Sequence, residues 1–207
     1  MTASQTDQTV EQATARRALI VVDVQQDFVE GGSLGVAGGR DVAARISEHL
    51  AGHAADYATV VASRDWHDPH SDNGGHFAAA GEEPDYVATW PQHCVSDGPG
   101  SDYAPELVLD LVSHHVRKGQ GAPAYSAFEG VDEDGRPLAE LLTSYGVTDV
   151  DVVGIATDYC VLQTVLDARG RDLGVRLLDG LHAGVAPASS EAAVASMRES
   201  GVEVVAP

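Results

Sequence analysis

Short apolar, β-branched runs recur along this 207-residue chain, separated by stretches whose apolar residues follow helical spacing. The first run, Leu19, Ile20, Val21 and Val22 within ALIVVDVQQDF, reads as a strand buried on both faces and ending in Asp23. Val42, Ile46 and Leu50 then recur at i, i+4, i+8 and predict an amphipathic helix. Ala58–Ser63 predicts a second strand and His114–Lys118 a third. Pro137–Tyr145 reads as a helix with proline in its first turn. A fourth strand over Val150–Ile155 runs into a helix carrying Val161, Leu162, Val165 and Ala168. A strand at Val175–Leu178, a helix over Ser190–Ser200 and a strand at Val202–Val205 complete the chain. Strand and helix alternate, which predicts an α/β fold: a three-layer α/β/α sandwich with a mainly parallel central sheet. Residues 1–16 are polar and aperiodic and predict a disordered tail, so the folded domain is expected over 17–207.

Composition narrows the function. The formal net charge of −20 excludes nucleic acid and anionic membranes as partners, because both would repel such a surface. No apolar run approaches the roughly 20 residues of a membrane span, and MTASQTDQTVEQATARR lacks a signal peptide's apolar segment, so a cytoplasmic protein is expected. In a reducing compartment the two cysteines, Cys94 and Cys160, are read as separate thiols. Oligomeric state is not legible, and a homo-oligomer is compatible with the sequence.

In folds of this class ligands bind beyond the carboxyl ends of the strands. Cys160 lies just past the fourth strand, where Thr157 and Asp158 are N-cap candidates and a helix N-terminus would lower the thiol pKa from about 8.5. Asp23, Asp65 with His67, and Lys118 fall at the same rim. A neighbouring lysine would supply the local cation Cys160 needs, because the overall acidic field disfavours a thiolate. Four of the nine histidines, His67, His70, His76 and His93, share the segment that also holds Asp65. Asp65 and His67, two apart in extended chain, point to one side, as ligands of one metal must. Such a set suits Zn, Fe, Mn or Ni, although a solvated polar loop has a similar composition. Trp90, beside Pro91 and His93, is a candidate aromatic wall.

VVDVQQDF with EGGSLGV, ASRDWH, WPQHCV, KGQGAPAYSAFEGVDE and VVGIATDYCV, in that order, make the chain similar to the nicotinamidases (pyrazinamidases) of the isochorismatase-like hydrolase family. The resemblance covers Ala18 to the C-terminus and implies the isochorismatase-like hydrolase fold. It implies metal-dependent hydrolysis of the small molecule nicotinamide by a cysteine nucleophile, with Asp23, Lys118 and Cys160 catalytic. Backbone N–H groups of Ala156 and Cys160 would form the oxyanion hole, after a cis Ile155–Ala156 peptide. One divalent transition metal ion (Zn, Fe or Mn) would be held by Asp65, His67, His76 and His93. Phe28, Trp90, Ile155 and Tyr125 would line the substrate pocket. In two places the chain departs from the family pattern: an extra histidine, His70, competes with His76, and Tyr159 stands where histidine is frequent. A sibling amidase acting on another small amide or carbamoyl compound is the alternative.

Overall fold

The computed structural model describes residues 15–207; the tail expected over 1–16 lies, up to residue 14, outside the described residues. Six strands form one parallel sheet: β1 (Arg17–Val22), β2 (Thr59–Asp65), β3 (His114–Lys118), β4 (Asp149–Ile155), β5 (Gly174–Ala183) and β6 (Glu203–Val205). Their order is β3-β2-β1-β4-β5-β6. The order reverses between β1 and β4, which is where a doubly wound sheet opens a crevice for ligand.

Alternation within the strands explains the layers. Ala18, Ile20 and Val22 of β1 and Val150 and Val152 of β4 face one side. There they pack on α2 (Leu138–Ser144), α3 (Leu162–Arg169) and α4 (Pro187–Glu199). Leu19, Val21, Val153 and Ile155 face the other, under Val42, Ile46 and Leu50 of α1 (Gly39–His53). Full burial of each such side chain stabilises the fold by roughly 1.5–3 kcal/mol. The helices of the described residues are all too short or too polar to cross a membrane.

Several boundaries differ from the sequence reading for identifiable reasons. β2 runs on to Asp65 because that carboxylate is buried and bonded rather than released into a loop. β5 continues past the exposed Asp179 and Gly180, through a register irregularity, to Ala183, so its apolar pattern breaks while its pairing resumes. α4 begins at Pro187, three residues before the expected start, with proline at its first position, where the missing N–H costs nothing. Pro137 is the N-cap of α2 rather than part of its first turn.

Candidate active site

The first side chains are delivered by the strand ends flanking the crevice. Asp23 follows β1 directly, with φ of 47°, a left-handed conformation unusual for a residue with a side chain. Asp65 ends β2 and Lys118 ends β3, paired in register. All three are buried, and Lys118 and Asp23 have no exposure at all. The Lys118 ammonium lies 2.9 Å from Asp23 Oδ2, hydrogen-bonds Asp65 Oδ1, and donates to the Ala124 carbonyl at 3.3 Å. Cys160 Sγ lies 3.7 Å from Lys118 Nζ and within 4.8 Å of the Asp23 and Asp65 carboxylates. The structure thus brings Asp23, Lys118 and Cys160 together.

Cys160 does not sit in the first turn of an ordinary helix. Residues Thr157–Val161 form a π turn, in which the Val161 N–H reaches back five residues to the Ala156 carbonyl, and α3 begins only at Leu162. Neither N-cap candidate caps this turn. Thr157 Oγ1 pairs with His182 Nδ1, and the Asp158 carboxylate accepts from the Val185 and Ala186 N–H groups, at the start of α4. Sequence periodicity does not distinguish a π turn from an α turn over so few residues, although such turns are frequent at functional sites. The Ile155–Ala156 peptide is cis, as the resemblance implied.

The charges distribute differently from the sequence expectation. Burial pushes the Cys160 thiol well up, and the Asp23 and Asp65 carboxylates add to this against the opposing Lys118 ammonium. Burial therefore favours the neutral thiol at rest over the thiolate that Lys118 was expected to hold. Lys118 is occupied by two carboxylates. Burial would neutralise it, but Asp23 and Asp65 hold it well above the ordinary ammonium range. Burial likewise raises the Asp23 carboxyl, only partly offset by Lys118. For Asp65, burial alone would raise the carboxyl, but the Lys118 ammonium holds it well below its usual range. Of the two acids, Asp23 is the one with appetite for a proton.

Asp65 also ties this group to a second one. Its Oδ2 lies 3.7 Å from Nε2 of both His67 and His93. His67, His76 and His93 are buried, with ring nitrogens within 4.8 Å of one another. Nδ1 of His67 contacts the Gly119 carbonyl at 2.9 Å and Nδ1 of His93 the Pro91 carbonyl at 2.7 Å. A carbonyl only accepts, so both Nδ1 atoms donate, and Nε2 is the ring nitrogen left to meet an ion. Gly119, with φ of 83°, permits this approach, since a Cβ there would lie 2.6 Å from the His67 ring. Burial, with the neighbouring His93 and His67, pushes His76 down to about 4, leaving it neutral at pH 7. His67 Nε2 and His76 Nδ1 are buried without a hydrogen-bond partner. Three clustered imidazoles, two of them with an orphaned ring nitrogen, beside one carboxylate are the donor set a divalent transition metal takes, so the residues fit such an ion. His70 is exposed and outside this cluster, which decides between it and His76.

A cleft of about 370 Å³ opens over both groups. Asp65, His76, His93, Ala156 and Cys160 lie at its floor; Phe28, Trp90, Tyr125 and Tyr159 are among its walls. Trp90 Nε1 donates to the Tyr125 hydroxyl at 3.1 Å, and Tyr159 meets Trp90 edge-on at 5.2 Å between ring centroids. Ile155 is a correction: its side chain is fully buried among the residues under α1, and the cleft lining begins at Ala156. Alternation along β4 turns Ile155 away from the cleft.

Three buried polar residues went unrecognised in the sequence. Ser63 Oγ donates to Asp23 Oδ1 at 2.6 Å. Gln25 accepts from the Asp65 N–H at 2.8 Å and donates to the Asp65 carbonyl at 2.9 Å, fixing that backbone. Asn73 Oδ1 accepts from the N–H groups of Asp68 and Gly121, joining the loop that carries His76 to the loop after Lys118. Ser63 alone left a signal: a polar residue closing an apolar strand run.

The Isochorismatase domain model matches residues 17–206. The nicotinamidase/pyrazinamidase of Mycobacterium tuberculosis is 51% identical over 189 residues, covering 91% of this chain and 98% of that protein. The pyrazinamidase of Pyrococcus horikoshii, solved in complex with zinc, is 35% identical with a TM-score of 0.78, over 93% of this chain and 99% of that one. The L. infantum protein solved with nicotinate is 34% identical with a TM-score of 0.77, over 93% of both chains. With four strand ends, a buried acid–amine–thiol group and a histidine cluster already in place, these matches fix the lineage: the chain belongs to the isochorismatase family.

Proposed function

We propose that this protein hydrolyses nicotinamide to nicotinate and ammonia through a thioester on Cys160. The observation that carries the reading is the meeting of Cys160, at the floor of an aromatic-walled cleft, with Asp23 and Lys118 buried beneath it, beside three buried imidazoles. The relatives' names, nicotinamidase and pyrazinamidase, and the nicotinate complex support the substrate. The zinc complex and the donor set support one divalent transition ion, Zn, Fe or Mn, on Asp65, His67, His76 and His93. When bound, that ion supplies a Lewis-acid anchor for the pyridine nitrogen.

The residues act in sequence. Phe28, Trp90 and Tyr125 hold the flat ring, with the carboxamide over Cys160. Asp23 takes the proton from the neutral thiol as sulfur attacks the carboxamide carbon, and Lys118 stays charged, steadying both carboxylates. The oxyanion that forms is met by the Ala156 and Cys160 N–H groups. As the C–N bond breaks, Asp23 gives its proton to the leaving nitrogen, and ammonia departs. Water then attacks the thioester carbon with Asp23 again as base; nicotinate leaves and the proton returns to sulfur. A raised Asp23 beside a raised thiol suits this shuttle, because neither partner is locked in its charged form. Ammonia release across nicotinamide, pyrazinamide and small aliphatic amides tests the reading: turnover is expected with the aromatic amides. Hydrolysis of the aliphatic amides alone would assign the site to a different amide.

A further inference from the structure

Ser63 occupies a position the mechanism above does not use. It is wholly buried in β2, after Val60, Val61 and Ala62, where an unbonded hydroxyl would be unfavourable. Its Oγ makes two bonds to one residue: it donates to Asp23 Oδ1 at 2.6 Å and accepts from the Asp23 N–H at 3.3 Å. Asp23 stands in the left-handed region, one residue past the end of β1, so its strand does not fix its side chain. Asp23 Oδ2, in contrast, makes no hydrogen bond; its contact is the ion pair with Lys118. The two carboxylate oxygens are therefore inequivalent. Oδ1 is occupied by the Ser63 donor, Oδ2 meets the Lys118 ammonium, and a carboxylate oxygen of Asp23 lies within 4.8 Å of Cys160 Sγ.

We infer that Ser63 is a positioning residue: its hydroxyl clamps the backbone and Oδ1 of Asp23 together, so that Oδ2 alone faces Lys118 and Cys160 and exchanges the proton. The inference rests on the amidase reading, and it deepens it by assigning which oxygen acts and what selects it. Without the hydroxyl, the carboxylate can rotate about its last torsion and the proton-accepting geometry is lost in part of the population. Ser63 does not touch the ring pocket or the imidazoles, so substrate binding and metal content are not its business.

The test compares the metal-loaded wild type with Ser63→Ala and with Ser63→Thr, which keeps the hydroxyl on a side chain suited to a strand. For Ser63→Ala, kcat for nicotinamide is expected to fall roughly 10- to 100-fold, the usual effect of removing a group that orients a reacting one, with KM and metal content unchanged. Ser63→Thr is expected to recover most of kcat. Alkylation of Cys160 by iodoacetamide, located by peptide mass, should slow in Ser63→Ala and recover in Ser63→Thr. Retention of kcat within twofold in Ser63→Ala would overturn the inference. So would a loss that Ser63→Thr fails to restore in protein that melts like wild type. If the wild type releases no ammonia from nicotinamide, the amidase reading falls by itself; the alkylation rates then decide the clamp, and equal rates in wild type and Ser63→Ala sink it.

Discussion

Opposite ends of the sheet each bury a carboxylate, and they treat it in opposite ways. At the amino end, Asp151 of β4 is wholly buried and fully satisfied. Arg176 bonds both its oxygens, at 2.8 and 2.6 Å, Arg17 donates to Oδ1 at 3.1 Å, and the Tyr57 hydroxyl donates to Oδ2 at 2.9 Å. Two guanidiniums and a phenol serve one acid. At the carboxyl end the ratio inverts: Asp23 and Asp65 share the single ammonium of Lys118, with a thiol alongside and orphaned imidazole nitrogens beyond. The first arrangement leaves nothing for a ligand to improve. The second retains unfilled hydrogen-bonding and metal-binding capacity among buried groups, where polar interactions are strongest. Burial of charge thus marks a site only when the partners are too few.

Three substitutions sharpen this contrast, in falling order of effect. Lys118→Met leaves both carboxylates without their cation, and kcat for nicotinamide is expected to drop on the order of 10³-fold or more, read by ammonia release. Asp151→Asn breaks the satisfied cluster instead. It should cost about 2 kcal/mol in a denaturant titration, less than a fully dry pair because Arg17 and Arg176 keep some water, with kcat and KM unchanged. A loss of kcat there, in folded protein, would mean that the two ends are coupled. Tyr125→Phe removes the partner of Trp90 Nε1 and is expected to raise KM by about fivefold, roughly 1 kcal/mol, with kcat retained.

The sequence foretold each of these ends unequally. Apolar runs located five of the six strands, because a parallel sheet buried on both faces needs such runs, while the edge strand β3, HHVRK, has one apolar residue; the strand ends then located Asp23, Asp65, Lys118 and Cys160. The sharing of charge was not legible. Lys118 could be expected beside Cys160, but only the distances reveal that two carboxylates compete for it, so that the resting sulfur stays neutral. Gln25 and Asn73 were missed because their roles are hydrogen bonds across 40 and 48 residues of sequence, beyond any local pattern; Ser63 stood out as a polar end to an apolar run, but its partner lies 40 residues away. Ile155 was misplaced for the opposite reason: it adjoins the site in sequence, yet strand alternation sends it into the core.

The central claim is that Cys160 is a neutral thiol at rest and becomes the attacking atom only when Asp23 takes its proton. The most direct measurement pairs the ultraviolet thiolate difference between wild type and Cys160→Ala, across pH, with nicotinamide turnover by both at matched metal content. Burial places the thiol above its free value, so the account predicts a thiolate signal absent at pH 7 and growing only at a pH above that at which a free thiol ionises. It also predicts turnover lost by at least about 10⁴-fold in the alanine protein. A thiolate band at neutral pH, or an alanine protein that still releases ammonia near the wild-type rate, would contradict it.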